Sequence, residues 1–118
     1  MVSLERWNGK EAIVTGASAG IGAAITRRKE RVEELAKKLE GKNGKLYAFE
    51  ADMMKEEDII KAFEWTKNNV GPVHILINNA GIGRGSSLHE GQTKLWNEVF
   101  DTNVLGLCIA TKEAVKDM

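Results

Sequence analysis

A glycine-rich stretch directly after a short apolar run constrains the fold of this chain more than any other feature. The run Glu11 to Thr15 is short and β-branched, which predicts a buried strand, and residues 15–22 (TGASAGIG) follow at once. A pyrophosphate needs free main-chain N–H groups at the start of a helix, where a Cβ would hold it away. We therefore predict that Gly16 makes the tight turn, Gly20 permits close approach and Gly22 lets helix and strand pack. The alternative is an ordinary glycine-rich turn; a phosphoryl-transfer P-loop is disfavoured because no Gly-Lys-Ser/Thr follows.

Two further strands and three helical patterns complete the outline of the fold. Lys45 to Ala51 and Val73 to Ile77 each follow a turn-like sequence and predict strands. Helical patterns cover Ile21 to Glu40, Lys55 to Asn69, and a segment from near Thr93 to the C-terminus. Strands that alternate with helices predict a parallel sheet with right-handed crossovers. We therefore expect an α/β fold of the doubly wound class. In it, the strands that begin at Lys45 and Val73 should lie on either side of the strand that begins at Glu11.

The last helix is expected to bury one apolar face. Its candidate core residues are Leu95, Trp96, Val99, Phe100, Val104, Leu107, Cys108 and Val115. Asn103 follows Trp96, Val99 and Phe100 at helical spacing and should also point inward, where its amide needs hydrogen-bond partners.

Composition excludes several classes of protein. The chain has 118 residues, and its 17 basic and 17 acidic residues leave no net charge, which argues against a nucleic-acid binder or a protein held on acidic lipid. One cysteine allows no internal disulfide, and with two histidines no metal site is expected. No signal peptide or membrane-length apolar run is evident, so one cytoplasmic domain over residues 1–118 is expected.

Four motifs occur in order along the chain: Thr-Gly-x-x-x-Gly-x-Gly at 15–22, Asp52 at the end of the second strand, Asn-Asn-Ala-Gly at 78–81 and Asn103 in the last helix. Together they resemble the short-chain dehydrogenase/reductase family, and within it the NADP-dependent farnesol dehydrogenase-like members. The resemblance spans nearly the whole chain and implies a truncated NAD(P)-binding Rossmann domain. It implies an oxidoreductase that transfers hydride between NADP, or NAD, and a small-molecule alcohol/carbonyl pair.

The resemblance also implies roles for individual residues. Asp52 would bind the adenine, Asn78 would brace the sheet, and Asn79 with its neighbours would line the ribose and nicotinamide. The implied cofactor-binding residues are Gly16, Ser18, Ala19, Gly20, Ile21, Gly22, Arg28, Asp52, Met53, Asn79, Ala80 and Gly81. Asn103 is the one catalytic residue carried over, since the family's asparagine holds a water in the proton relay; the alternative is a structural amide. For Asp52 the alternative is a cap of the helix that begins near Lys55.

One departure from the family's pattern concerns the second strand of the doubly wound sheet, which should lie between the first two helices. Here residues 23–26 (AAIT) run into residues 27–31 (RRKER) without a turn. We therefore expect this strand to be excised, with one unbroken helix from about residue 20 to 40 and about three parallel strands. A strand between residues 24 and 40 would contradict the excision. Arg28 resembles the basic residue that meets the 2′-phosphate in NADP-preferring members, and on such a helix it is expected on a solvated face.

The other departure is in the catalytic residues. Family members use Ser and Tyr-x-x-x-Lys, in which the tyrosine exchanges a proton with the substrate oxygen and the lysine lowers its pKa. The only tyrosine is Tyr47, and Ala51 stands where the lysine should be. We expect the chain alone to be inactive; the alternative function is a catalytically silent nucleotide-binding or partner-binding module. The apolar face of the last helix predicts self-association, as a homo-oligomer formed through the C-terminal helix.

Overall fold

Within the described part of the chain, four short strands form one sheet, and helices follow the second, third and fourth of them. The computed structural model describes residues 8–16, 23–26, 29–42, 44–85 and 87–118. In chain order the elements are β1 (Glu11–Thr15), β2 (Ala23–Thr26), α1 (Lys29–Lys38), β3 (Ala48–Glu50), α2 (Glu56–Asn69), β4 (Val73–Ile77), α3 (Thr93–Phe100), a π-helical turn (Asp101–Leu105) and α4 (Gly106–Val115). Among these helices, none is long and apolar enough to cross a membrane.

All four strands run parallel, in the order β3-β2-β1-β4. Ile13 of β1 lies beside Ala23 of β2 and beside Leu76 of β4. This parallel sheet with flanking helices confirms the α/β class predicted from the sequence, and β1 and β4 have their predicted bounds. Because the strands are parallel, their carboxyl ends meet at one edge, which is where open α/β sheets bind ligands.

The strand that was expected to be missing is present. Residues Ala23–Thr26 form β2 between β1 and β3, and the helix begins only at Lys29 and ends at Lys38. The unbroken helix, the three-stranded sheet and the excision of the second strand are therefore wrong, and β3 pairs with β2 instead of β1. The physical reason is main-chain hydrogen bonding: a strand here pairs with both neighbours at once, which outweighs the weak helix preference of a four-residue segment.

Side chains from the two faces of β1 enter two separate clusters. Ile13 is fully buried in the main core, which comprises Ile13, Ala51, Met53, Ile59, Ala62, Phe63, Val73, Ala110 and Ala114. Val14 points the other way and packs against Val32 of α1, with Leu46 and Ala48 beside them. Alternate residues of a strand point to opposite faces, so α2 and α4 cover one face of β1 and α1 covers the other.

The last helical segment buries a different face from the one predicted. Leu95, Trp96 and Val99 are partly buried as expected, but the exposed side chains include Phe100, Val104, Leu107, Cys108 and Val115. The buried positions of α4 include Gly106, Ala110 and Ala114. A Cβ on Gly106 would lie 2.6 Å from the main-chain oxygen of Met53. Small residues let the helix approach the core closely, and this contact leaves the larger side chains on the outer face.

Asp117, just beyond α4, ties the end of the helix to the start of β4. Its Oδ1 accepts a hydrogen bond from Lys67 Nζ at 3.1 Å, and its Oδ2 accepts the main-chain N–H of Val73 at 3.2 Å. The hydrogen bond from Lys67, followed by that from Val73, holds the pKa of the Asp117 carboxyl below its ordinary value of 3.8, against the opposing effect of burial. The C-terminal segment is thus fastened at the amino edge of β4, away from the carboxyl edge.

Candidate cofactor-binding site

The turn after β1 and the loop after β4 lie against each other at the carboxyl edge of the sheet. Gly16 has a φ of 67°, in the left-handed region that favours glycine. A Cβ on Gly16 would also lie 2.5 Å from the Cα of Ala80 and 3.0 Å from its Cβ. Glycine is therefore required here by both conformation and space, and it allows the end of β1 to pack directly against the loop after β4.

Thr15, the last residue of β1, holds the loop after β4 in place. Its Oγ1 accepts the main-chain N–H groups of Asn79 and Ala80, each at 3.1 Å, and its carbonyl accepts the Nδ2–H of Asn79 at 3.1 Å. Thr15 is only 1% exposed, and its three hydrogen bonds to the loop are partly buried. Sequence reasoning missed Thr15 as a site residue; the available signal was a hydroxyl at the carboxyl end of a buried strand.

Asp52 follows β3 at the same edge and forms part of a tight turn. Its Oδ1 accepts the main-chain N–H of Met54 at 2.9 Å, and its carbonyl accepts that of Lys55 at 2.9 Å. Its own main-chain N–H donates to Oδ2 of Asp58 at 3.0 Å, a partner that sequence reasoning did not identify. The residue at the N-cap position of α2, Lys55, makes no side-chain capping hydrogen bond. The carboxylate of Asp52 thus closes the turn before the helix, which fixes its position at the edge.

Asn103, in the π-helical turn, braces the loop after β4. Its Oδ1 accepts the main-chain N–H of Ile82 at 2.7 Å, and its Nδ2 donates to the carbonyl of Ile82 at 2.8 Å. The predicted need of this amide for partners is thereby met. Gly81 lies next to it, since a Cβ there would be 3.5 Å from Asn103 Oδ1. Because both amide groups are committed to Ile82, the side chain positions the loop, and a catalytic role for Asn103 stays a prediction.

Two further motif residues contact the body of the protein. Asn78 donates its Nδ2–H to Oγ1 of Thr111 at 3.1 Å, which ties the end of β4 to α4. The side chain of Met53 is 6% exposed and belongs to the main core. Met53 therefore packs in the core, and its part in cofactor binding stays a prediction.

The rest of the predicted cofactor set lies outside the described residues; it comprises Ser18, Ala19, Gly20, Ile21, Gly22 and Arg28. The elements on either side are defined. The glycine-rich stretch is followed by strand β2 from Ala23, whereas the sequence predicts that it opens a helix. The first described helix begins only at Lys29. The predicted anchor for a pyrophosphate stays a prediction, because residues 17–22 lie outside the described part of the chain.

Tyr47 has a packing role beside β3. Its ring centroid lies 5.8 Å from that of Trp65, and Lys45 Nζ lies over the face of its ring, 5.5 Å from the centroid. Ala51, four residues on, is 2% exposed in the main core. The described residues therefore do not combine a tyrosine hydroxyl with a neighbouring lysine in the manner of a proton-transfer pair.

A parallel sheet with Gly16, Asp52 and the loop from Asn79 at its carboxyl edge defines a Rossmann-type nucleotide-binding domain. Comparison with known proteins gives the family. The family profile described as short chain dehydrogenase matches residues 10–118. The chain belongs to the short-chain dehydrogenase/reductase family of oxidoreductases, whose cofactor is NAD(P).

Relatives of known sequence cover almost the whole chain. Farnesol dehydrogenase from Aedes aegypti is 44% identical over 133 positions, which cover 98% of this chain and 54% of that protein. Dehydrogenase/reductase SDR family member 11 from Homo sapiens is 39% identical, covering 98% of this chain and 50% of that protein. The chain thus spans about half the length of these relatives. The 133 matched positions outnumber its 118 residues, so the Aedes aegypti protein has residues with no counterpart here.

Solved structures agree with the fold. A blue fluorescent protein from a metagenomic library, in complex with NADPH, has a TM-score of 0.88 at 27% identity and is matched over 97% of this chain and 53% of its own. A short-chain dehydrogenase/reductase from Serratia marcescens has a TM-score of 0.86 at 25% identity, over 93% of this chain and 51% of its own. Their α/β architecture is the one that the present sheet and helices share.

The residues present fit a nicotinamide dinucleotide in part. At its nucleoside end, the edge offers the carboxylate of Asp52 and the loop from Asn79 to Gly81, whose main chain Thr15 holds in place. For its pyrophosphate, the described residues offer no helix N-terminus beside the turn at Gly16. The described residues therefore fit the nucleoside, and the residues predicted to hold the two linking phosphates lie outside the described part of the chain.

Proposed function

We propose that this chain is the cofactor-binding portion of an oxidoreductase that transfers hydride between NADP and an alcohol/carbonyl pair. The observation that carries the proposal is the contact of Gly16 with Ala80, which joins the turn after β1 to the loop after β4. Asp52 stands at the end of β3 on the same edge. Hydride transfer is the chemistry that the nicotinamide supplies when bound; the residues of this chain hold and orient the nucleotide.

NADP, in preference to NAD, is proposed from the place of Arg28 in the chain. β2 ends at Thr26 and α1 begins at Lys29, so in the sequence Arg28 falls between a strand and a helix. A guanidinium beyond this strand end suits the 2′-phosphate of NADP. The similar structure in complex with NADPH supports the same cofactor, and the farnesol dehydrogenase relative supports an alcohol as the substrate.

Residues 1–118 by themselves are proposed to bind the cofactor without turning over a substrate. Tyr47 is the only tyrosine, it lies in an aromatic cluster, and Ala51 replaces the lysine of the family's pair. The residues that would exchange a proton with a substrate oxygen are therefore not supplied by this chain.

Titration of the purified chain with NADPH, followed by the fluorescence of the nucleotide, tests the binding. We expect saturable binding, weakened by Asp52→Asn and unchanged by Glu50→Gln, which alters an exposed carboxylate two residues earlier on β3. The same preparation should not oxidise alcohols with NADP. Absence of binding would overturn the cofactor-binding function, and measurable oxidation would overturn the inactivity.

The second candidate is a catalytically silent nucleotide-binding or partner-binding module, favoured by the apolar outer face of the C-terminal helical segment. This outer face comprises Phe100, Val104, Leu107 and Val115, which are between 41% and 64% exposed. They recur at intervals typical of one side of a helix. We propose that a second copy of the chain covers this face, which makes the protein a homo-oligomer through its C-terminal helix.

A further inference from the structure

We infer that Glu11 fixes a proton on Nδ1 of the His74 ring, and that this pair holds the register of β1 against β4 on which the candidate cofactor site depends. The pair lies at the amino edge of the sheet, opposite the edge that carries Gly16 and Ala80. Both members are thus positioning residues that do not touch the nucleotide. The inference rests on the proposed cofactor-binding function only for its effect on NADPH; the state of the ring is tested separately.

Two groups approach Nδ1 of His74, and they require different protonation states of that nitrogen. Oε2 of Glu11 lies 2.7 Å from it, and the main-chain N–H of Glu11 points to it as a donor at 3.3 Å. The carboxylate needs a proton on Nδ1, whereas the main-chain N–H needs a lone pair there. Because a neutral imidazole carries a proton on only one of its nitrogens, the folded protein must favour one of these contacts over the other.

Burial decides between the two contacts in favour of the carboxylate. Oε2 of Glu11 is buried and, among the described residues, has no other hydrogen-bond donor. A buried acceptor without a donor is costly because water cannot replace the missing bond. The main-chain N–H of Glu11, in contrast, lies at an exposed position, where water can accept from it. A separation of 2.7 Å is also typical of a charge-assisted hydrogen bond, which is roughly twice as strong as a neutral one. Nδ1 therefore carries the proton.

The groups around the pair leave His74 as the partner of Glu11. Asp117 reaches the same end of β4, but its two carboxylate oxygens accept from Lys67 and from the main chain of β4. On its other side, the carboxyl group of Glu11 packs against Gly71, since a Cβ there would lie 3.4 Å from Cδ and Oε1 of Glu11. Gly71 has a φ of 147°, in the region that favours glycine. The carboxyl group is thus confined beside the ring.

The pair stands at an irregularity in the ladder between β1 and β4. Glu11 pairs with Val73, and the next residue, Ala12, pairs with Ile75. His74 is therefore an extra residue on β4 without a partner on β1, as in a β-bulge. Beyond it the register runs evenly to the carboxyl edge, where the end of β1 meets the loop after β4. A shift by one residue would turn every side chain to the other face, so a contact that holds the bulge also holds this meeting.

Long-range ¹H–¹⁵N NMR spectra of the histidine rings test the protonation state in the purified chain. The chain has two histidines, and His89, whose side chain is 81% exposed, serves as the reference for a ring in water. At about pH 8.5, where an imidazole in water is neutral, we expect Nδ1 of His74 to give the signal of a protonated nitrogen. In Glu11→Ala only the main-chain N–H remains beside Nδ1, so the proton should move to Nε2. Lys10→Ala, at the exposed neighbouring position, should leave the ring unchanged.

Hydrogen exchange and NADPH titration test the effect at the carboxyl edge. The main-chain N–H of Ala80 donates to Thr15 at this edge. In Glu11→Ala its exchange should quicken by at least about threefold, because the register is held less firmly. NADPH should bind to the same variant at least about threefold more weakly. Lys10→Ala should change neither quantity.

The outcomes separate the inference from the proposed function. An unprotonated Nδ1 of His74 in the wild-type chain overturns the inference, and this spectrum decides where Glu11→Ala does not fold. A protonated Nδ1 also contradicts it if Glu11→Ala leaves the exchange of Ala80 or the binding of NADPH unchanged, because the pair then does not position the site. Failure of the wild-type chain to bind NADPH overturns the proposed function alone, since the ring spectrum and the exchange of Ala80 need no nucleotide.

Discussion

Gly16 and Ala80 are in main-chain contact, so close that a Cβ on Gly16 would lie 2.5 Å from the Cα of Ala80. The contact joins the end of β1 to the loop after β4, which are far apart in sequence and adjacent in the sheet. Thr15 adds hydrogen bonds across the same junction. The position of the loop after β4 is therefore set by two consecutive residues, Thr15 and Gly16, at the end of β1.

Replacement of Gly16 by alanine should destabilise the protein for two reasons. The left-handed conformation costs about 1–2 kcal/mol in any residue with a Cβ, and the clash with Ala80 adds to it. Gly9→Ala is a matched control, because Gly9 has a φ of 72° but nothing within 4 Å of a built Cβ. Urea unfolding should show a clearly larger loss of unfolding free energy for Gly16→Ala. Equal losses would mean that the loop moves aside freely.

Thr15→Val should lower the free energy of unfolding by roughly 1–3 kcal/mol, because two partly buried main-chain N–H groups lose their acceptor. Thr66→Val is the comparison: Thr66 is 2% exposed, and its Oγ1 donates to the Ala62 carbonyl at 2.8 Å within α2. For Thr66→Val the loss of unfolding free energy should be below about 1 kcal/mol, because the Ala62 carbonyl keeps its main-chain donor within the helix. Chemical denaturation of both variants measures the difference, and similar values for the two would contradict the role given to Thr15.

Asn103→Ala should loosen the loop after β4 by freeing the main chain of Ile82. The expected loss is about 1–3 kcal/mol, because both main-chain groups of Ile82 lose their partner. Hydrogen exchange at the Ile82 amide should quicken by about tenfold for each 1.4 kcal/mol of local stability that is lost. Asn97→Ala, at an exposed position of α3, is the control and should leave this amide unaffected. Unchanged exchange in Asn103→Ala would refute the bracing role.

Asp117 should make stability depend on pH in the acid range. Because Lys67 and Val73 lower its pKa in the folded state, the ionised carboxylate stabilises the fold above the unfolded pKa. That stabilisation is lost as pH falls through the folded pKa. The difference in unfolding free energy between the wild type and Asp117→Asn should therefore shrink from neutral pH to below about pH 3.

The control for the loss of a charge is Glu64→Gln, an exposed carboxylate on the same helix as Lys67. Denaturant titrations at a series of pH values measure both variants against the wild type. A difference between the wild type and Asp117→Asn that stays constant down to acid pH would show that the carboxylate does not act through its charge.

Leu107→Glu should convert the protein from an associated species to a monomer, if a second copy covers the outer face of the C-terminal segment. Leu107 is 41% exposed in the middle of that face, and a buried charge there would oppose association. Leu88→Glu is the control, since Leu88 is 88% exposed on the loop before α3. Sedimentation velocity distinguishes the species; a wild-type chain that sediments as a monomer would contradict the proposal.

Local sequence patterns correctly predicted the strands and helices whose formation depends mainly on their own residues. β1 and β4 are short β-branched segments bounded by turns, and α2 begins with acidic residues and carries apolar residues at helical spacing. The placement of Asp52 and of the loop from Asn79 at one edge also followed, because parallel strands bring their carboxyl ends together. Thr15 escaped notice because its importance depends on a loop that is distant in sequence.

The sequence by itself determined the class of fold and the order of the nucleotide motifs, since apolar periodicity and the glycine pattern are local properties. Only the tertiary structure decided that Ala23–Thr26 is a strand, because its hydrogen bonds come from β1 and β3. It also decided which face of α4 is buried, through the close approach of Gly106 to Met53. Pairing and packing between distant segments outweigh local preference wherever a segment is short or its apolar residues cover more than one face.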